Sequence, residues 1–239
     1  MISSPHNEKL KLVRKLRERK HREVESLFVS EGEDLVKAGL AMGVEPHFLL
    51  SAAGSGLGGE EVEPELLAGV SALGSGTRAI AVWPQVWATE AQPPCLYLHG
   101  VADPGNVGAI VRTAHALVGG TVVLGPDCAD PFGPKAVRAS MGSVFGQALV
   151  RAGVGATPQP RAALVAHGGE GLGVPSEVAT FCLGAERDGL PPDVIRECTL
   201  QLTIPLRAGG AESLNVAAAA AIVCERISSP AMQEVAEDA

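Results

Sequence analysis

The chain has 239 residues, 46% of them hydrophobic, and carries 19 basic against 27 acidic side chains for a net charge of −8. That is enough apolar material for one large or two modest cores, and no apolar run approaches the ~20 residues of a membrane-spanning helix. The polar, charged N-terminus predicts no secretory signal. Five scattered cysteines without a Cys-x-x-Cys pair argue for reduced thiols in a cytoplasmic protein, not for zinc or disulfides. Aromatic residues are scarce, which weighs against a base-stacking platform.

Residues 7–22 predict an amphipathic helix, with Leu10, Val13 and Leu16 recurring at helical spacing. Its other side holds Lys9, Lys11, Arg14, Lys15, Arg17, Arg19, Lys20 and Arg22 against a single Glu18, a basic stripe in an acidic chain. Phosphate contacts call for such a stripe, and a solvated helix face is the competing reading. Residues 26–30 read as a strand, 31–42 as a helix opened by acidic residues, and 46–50 as a second strand. The small-residue stretch 51–59 reads as a flexible loop, 64–73 as a helix begun by proline, and 78–83 as a strand. This alternation defines a small α/β domain over residues 1–89, and the Pro-containing 90–94 reads as a linker.

A second α/β domain is expected over residues 95–229. It opens with an apolar run at 95–99, the length of a buried strand. Asp103-Pro104-Gly105 makes a turn, with Asn106 capping a helix over 106–118. Then come a strand at 121–124, a helix at 132–141, and extended segments at 144–150 and 162–167. Residues 178–183 and 200–206 are further strands, and an Ala-rich helix over 213–227 has Ser213 as its cap. The chain from 228 is small, polar and acidic, so it is expected to fray, with 230–239 as a tail.

Three strand-to-helix junctions carry the chemistry. In Asn106-Val107-Gly108-Ala109-Ile110-Val111-Arg112-Thr113-Ala114, an arginine sits in an otherwise apolar helix and must find an anion. An intramolecular carboxylate is the simpler partner, and a phosphate is the competing one. Leu183-Gly184-Ala185-Glu186-Arg187-Asp188-Gly189-Leu190 leaves a strand through a glycine turn, the usual ligand position in α/β proteins. Glu186 there reads as a partner for Arg112 or as a charge near the next helix. Glu212-Ser213-Leu214-Asn215-Val216-Ala217 opens the last helix, whose free N–H groups suit a carboxylate or phosphate. A capped turn without a ligand explains each junction taken singly. The glycine-rich 167–173 matches no nucleotide-loop pattern and reads as a surface turn. The six histidines form no metal spacing, so no metal is expected.

Taken in order, the three blocks resemble the SpoU (TrmH) family of RNA ribose 2′-O-methyltransferases, within the SPOUT superfamily. Lys135-Ala136-Val137-Arg138-Ala139-Ser140-Met141-Gly142 matches a further family segment, and residues 3–32 look like the ribosomal-protein-like substrate-binding domain of many members. The resemblance implies a SPOUT α/β knot, with a mostly parallel sheet and a deep C-terminal trefoil knot, behind a small ribosomal-protein-like α/β domain. It implies S-adenosylmethionine as cofactor, held by Leu183, Gly184, Ile204, Leu206, Ser213 and Leu214. It implies an obligate homodimer and a catalytic set of Arg112, Asn106, Glu186, Ser213 and Asn215, with Arg112 at its centre.

Lys9, Lys11, Arg14, Lys15, Arg17 and Arg138 are assigned to RNA. The expected substrate is ribosomal RNA, with transfer RNA and a non-catalytic ribosome-assembly scaffold as alternatives. The short, Pro/Gly-rich 151–161 departs from the family, where a helix is usual, and the small-residue loop 51–63 is a second departure.

Overall fold

The computed structural model describes residues 1–73, 76–173 and 177–237, with side chains through Ser229. The chain divides into two units. The first is Met1–Val86 with Asp130–Gly146, and the second is Trp87–Ala129 with Gln147–Ala239.

In the first unit the predicted helix over 7–22 is two helices, α1 (Glu8–Lys15) and α2 (Arg19–Glu25). Asn7 caps α1 by accepting from Lys9 N at 2.9 Å, and the helix closes at Leu16. A helix end leaves carbonyls without partners. Here the Arg22 guanidinium supplies them: Nη1 donates to Leu16 O and to Arg17 O, both at 2.8 Å. The same guanidinium faces Asp130, with Nη2 2.7 Å and Nε 2.8 Å from Oδ2. Both side chains are almost fully buried, at 5% and 7% exposure. Arg22 is therefore an internal ion-pair residue, not part of a solvent-facing stripe.

The unit's four-stranded sheet has the order β1-β4-β2-β3, from β1 (Leu27–Glu31), β2 (Phe48–Ala52), β3 (Glu60–Val62) and β4 (Ala79–Pro84). Its remaining helices are α3 (Glu33–Ala41) and α4 (Pro64–Val70). β2 runs into the stretch expected to be loop, and β3, a three-residue strand, pairs parallel to it. Leu10, Val13 and Leu16 are buried with Leu50, Leu67, Ile80 and Val82 in one core.

A second core lies beneath the residues contributed from 130–146. Phe28 meets Phe132 and Phe145 at centroid distances of 4.9 and 5.6 Å, and Trp83 meets Phe145 edge-on at 4.8 Å. The Trp83 indole N–H donates to Ser30 Oγ at 2.8 Å. Helix α5 (Pro104–Leu117) belongs to the second unit, but α6 (Pro134–Ser140) and the 3₁₀ turn Ser143–Phe145 belong to the first. The 3₁₀ turn takes the start of the extended segment expected over 144–150, whose later part is a strand from Ala148.

The second unit is built on a seven-stranded sheet. Its strands are β5 (Cys95–Leu98), β6 (Thr121–Leu124), β7 (Ala148–Arg151), β8 (Arg161–Leu164), β9 (Glu170–Gly171), β10 (Thr180–Leu183) and β11 (Leu200–Thr203). They lie in the order β7-β6-β5-β10-β8-β11-β9, and every pairing is parallel. All four residues of β5, β6 and β10 are buried, which explains the apolar run of β5 and the three apolar residues that follow the opening threonine in β6 and β10. The chain moves outward from β5 through β6 to β7, then returns to place β10 against the other side of β5.

Between β7 and β8 a single 3₁₀ turn, Val154–Ala156, replaces a full helix. The buried Arg161 side chain closes that turn, donating to Thr157 Oγ1, Thr157 O and Gly155 O at 2.9, 2.6 and 3.1 Å. Two helices complete the unit, α7 (Pro192–Arg196) and α8 (Val216–Glu237), the latter packed on α5. α8 starts three residues after the expected point, and its backbone is helical as far as Glu237 in the stretch expected to fray, whose positions 238 and 239 lie outside the described residues.

Removing Arg22 would strand the Asp130 carboxylate in the core. Arg22→Ala is expected to cost about 3–5 kcal/mol, read as a drop in the urea midpoint of the Trp83-containing unit. The paired change Arg22→Met with Asp130→Leu should recover most of that loss. If Arg22→Ala alone were as stable as the parent, the buried pair would not be holding the helix break.

Candidate active site

Three turns meet at the carboxyl end of the large parallel sheet. The first follows β5, where Asp103, not Asn106, caps α5: its carboxylate accepts from Gly105 N at 2.7 Å and Asn106 N at 3.1 Å. That frees the Asn106 amide, which donates through Nδ2 to Glu186 Oε1. The second turn follows β10. Ala185 and Gly189 exchange backbone hydrogen bonds at 3.1 and 2.9 Å, closing a loop that presents Glu186. Gly184 makes this possible, because a Cβ there would lie 2.1 Å from the Gly189 carbonyl carbon. No side chain fits at 184.

The third turn leads into α8. Its cap is Asn215, whose Oδ1 accepts from Ala217 N at 2.9 Å and Ala218 N at 3.3 Å. With Oδ1 committed to the cap, Nδ2 donates to Glu186 Oε1 at 2.9 Å and to Asn106 Oδ1 at 3.2 Å. Ser213, expected to be the cap, lies in the preceding loop. Asn106, Glu186 and Asn215 thus form one hydrogen-bonded group drawn from three distant blocks. Arg112 is exposed on α5, and among the described residues it makes no hydrogen bond or ion pair. The expected internal carboxylate partner is therefore absent, and Glu186 is engaged by the two asparagines.

Beside this group lies a cavity of about 460 Å³, within the ~300–1,000 Å³ range of small-molecule sites. All six residues assigned to the cofactor line it: Leu183, Gly184, Ile204, Leu206, Ser213 and Leu214. Glu186 lines it as well, while Asn106, Arg112 and Asn215 do not. Its walls are largely apolar, and three carboxylates (Glu186, Asp188 and Glu212) border it against one guanidinium, Arg187. Such a site favours a ligand with an apolar body and positive charge.

One wall was not anticipated. Residues 164–167, ending in His167, line the cavity, and the stretch read as a surface turn continues into β9, which pairs with β11. Gly169 N donates to Thr203 Oγ1 at 3.0 Å, and a Cβ at 169 would lie 2.8 Å from Gln201 O. The available signal was position: the carboxyl end of a parallel strand is where ligands gather.

The residues assigned to RNA all lie in the first unit. Lys9 Nζ is 2.5 Å from Glu60 Oε2 and sits 5.5 Å over the Phe48 ring. Lys11 pairs with Glu8 at 2.7 Å. Arg14 donates to Pro5 O at 3.1 Å and Arg17 to Val70 O at 2.8 Å, so each keeps an unneutralised charge. Lys15 and Arg138 are exposed and make no hydrogen bond or ion pair among the described residues. Among those residues no group of histidine, cysteine, aspartate and glutamate is arranged to hold a metal ion, and no helix is long and apolar enough to cross a membrane.

Residues 93–225 match the SpoU rRNA Methylase family, and residues 7–89 match the MRM3-like substrate binding domain. The chain is 32% identical to the 23S rRNA (guanosine(2553)-2′-O)-methyltransferase RlmP of Bacillus subtilis, over 93% of this chain and 96% of that one. It superposes on a TrmH-family protein from Porphyromonas gingivalis with a TM-score of 0.79 and 32% identity, covering 95% and 98% of the two chains. An AdoMet-bound rRNA methyltransferase from Sinorhizobium meliloti superposes with a TM-score of 0.80 and 27% identity, covering 94% and 95%.

Asn215→Ala removes a helix cap and both amide contacts, and is expected to lower stability by about 1 kcal/mol in urea unfolding. Asn215→Asp keeps an acceptor for the cap but sets a carboxylate against Glu186. It should be no more stable than the alanine variant at neutral pH. An aspartate variant as stable as the parent at neutral pH would show that the amide donor is dispensable.

Proposed function

The chain belongs to the SpoU rRNA Methylase family, and we propose that it transfers a methyl group from S-adenosylmethionine to a ribose 2′-hydroxyl of ribosomal RNA. The observation that carries this reading is the cavity itself, bounded by the turn after β10, the end of β11 and the loop before α8. Its volume suits a nucleoside-sized ligand, its apolar walls suit the adenosine, and its bordering carboxylates suit a sulfonium and an ammonium group. Bound there, S-adenosylmethionine supplies a methyl group on a positively charged sulfur.

The protein must then hold the 2′-hydroxyl in line with that methyl group and manage the proton the hydroxyl loses. In this reading Arg112 acts as a cation and not as the base, because a guanidinium is a poor proton acceptor. Its exposed, unpaired position supports a different role, in which it grips the phosphate next to the target ribose and stabilises negative charge developing on the attacking oxygen. Asn106 and Asn215 orient Glu186 at the cavity's edge, and Ser213 stands in the loop that borders the cavity.

Residues 1–89 serve as the RNA-holding domain in this reading, and 95–229 as the methyltransferase domain. Arg14, Lys15, Arg17 and Arg138 offer the available positive charge, while Lys9 and Lys11 would exchange their present carboxylate partners for phosphate. Family membership further supports a homodimer and a deep trefoil knot formed by the chain near α8, in a cytoplasmic enzyme needing no metal.

Arg112→Ala should reduce the rate of 2′-O-methylation at least ~100-fold, the order expected for a lost charge-stabilising group, while calorimetry finds S-adenosylmethionine affinity unchanged. Methylation at the parent rate would remove Arg112 from the mechanism. Charge reversal at Lys11, Arg14 and Arg17 together should weaken RNA binding, flatten its salt dependence and leave cofactor affinity untouched. Equal losses in RNA and cofactor binding would assign that helix a structural role instead.

A further inference from the structure

Cys182 lies on β10, directly before the cavity wall at Leu183, and Cys198 follows the end of α7. Sixteen residues apart in sequence, their sulfurs share a hydrogen bond at 3.7 Å. Val194 O, 3.4 Å from Cys198 Sγ, is an alternative acceptor for the single Cys198 S–H proton. Both thiols sit in an apolar cluster with Leu190, Val194 and Ile195, of which Leu190 and Ile195 line the cavity. This thiol pair is part of the packing behind the ligand site, and the methyl-transfer chemistry uses neither sulfur.

The two thiols differ in the way an exchange reaction needs. Cys182 is fully buried, whereas Cys198 is partly open to solvent. The hydrogen bond with Cys182, reinforced by the nearby Arg161 guanidinium, holds the Cys198 thiol below its ordinary range, against the opposing effect of burial. The same hydrogen bond and burial hold Cys182 well above it. The accessible thiol is thus the more readily ionised one, which suits it to attack, and the buried thiol is placed to resolve.

We propose that Cys182 and Cys198 form a reversible disulfide that reshapes the wall of the cofactor cavity, with a small-molecule disulfide of the glutathione class as oxidant. The Cys198 thiolate attacks one sulfur of that disulfide, breaking its S–S bond and expelling one thiolate. Cys182 then gives up its proton and attacks the Cys198 sulfur, expelling the second thiolate as the Cys182–Cys198 bond forms. Two protein thiols are oxidised by two electrons, and one small disulfide is reduced to two thiols.

A disulfide bond of ~2.05 Å requires the sulfurs to close most of their present gap. Cys182 is paired through its strand to β5 on one side and β8 on the other, so β10 resists movement. The shift therefore falls on the turn after α7, where Cys198 N bonds Ile195 O at 3.1 Å. Ile195 is drawn along, and the cavity it lines changes shape. Cys95 is fully buried, with a thiol pKa pushed up to about 11 by that burial, and is poorly suited to compete.

The inference rests on reading the cavity as the S-adenosylmethionine site, and two independent readouts separate the claims. The full-length protein is incubated with oxidised glutathione, then digested with trypsin without reduction. The expected product is peptide 162–187 joined to peptide 197–207, lighter than their sum by two hydrogens. Calorimetry with S-adenosylmethionine should then find affinity several-fold weaker after oxidation and restored by dithiothreitol. Cys198→Ser should abolish the link and make affinity insensitive to oxidant, whereas Cys182→Ala should abolish the link and trap glutathione on Cys198. In the parent protein, glutathione persisting on Cys198 without a link, or a link to Cys95 instead, overturns the proposal. A link that leaves affinity unchanged overturns the coupling to the cavity. Reduced protein that binds no S-adenosylmethionine would refute the cofactor assignment, while the linked peptide would still report on the disulfide.

Discussion

The parallel pairing of β5 with β10 is the constraint on which the site depends. Cys95 faces Thr180 and Leu98 faces Leu183 in register, at the point where the chain has turned back across its own sheet. Connections leaving the carboxyl ends of two such strands depart to opposite sides, and a crevice opens between them. One connection delivers Asn106 on the first turn of α5, and the other delivers Glu186. Packing of α8 on α5 then brings Asn215 to both. The hydrogen bonds among these three are exposed, two of them ending on the Glu186 carboxylate, so water competes for each of them. They orient side chains that strand register and helix packing have already placed.

The cavity wall and the adjacent core are the same material. Leu190 and Ile195 face the ligand space, yet both pack in the cluster that contains Cys182, Cys198 and Val194. Close-packed interiors transmit displacement because they contain little free volume. The shape of the site is therefore set partly by residues that never touch a ligand. Gly184 applies the same logic to the backbone, since the approach of the Gly189 carbonyl leaves no space for a side chain.

In the first unit, a buried charge decides where a helix stops. Arg22 in an apolar interior would be costly, but each of its three nitrogens has an acceptor: Asp130 takes Nε and Nη2, and two main-chain carbonyls take Nη1. Those carbonyls are available only because α1 ends at Lys15. The ion pair and the helix break thus depend on each other. The same contact gathers residues 130–146 into this unit, where Phe132 and Phe145 complete an aromatic cluster with Phe28 and Trp83.

Much of this was legible in the sequence because the governing chemistry is local. Short, mainly apolar runs marked the buried strands, the glycine after β10 marked the turn, and all six residues named for the cofactor line a single cavity. Other features belong to the tertiary structure alone. Arg22 and Asp130 are 108 positions apart, and Asn106 and Asn215 are 109 apart, so neither pair leaves any mark on local periodicity. Asn215 displaced Ser213 as the cap, and Asp103 displaced Asn106, although all four residues can accept at a helix start. β3 and β9 are too short to show alternation and exist only through the strands they pair with. The sequence by itself determined the longer strands and helices, the family and the residue types at the site. Which of those residues bond to one another, and which basic side chains remain open to a phosphate, was decided by long-range packing, because a polar group's partner is chosen by what the fold brings within hydrogen-bonding distance.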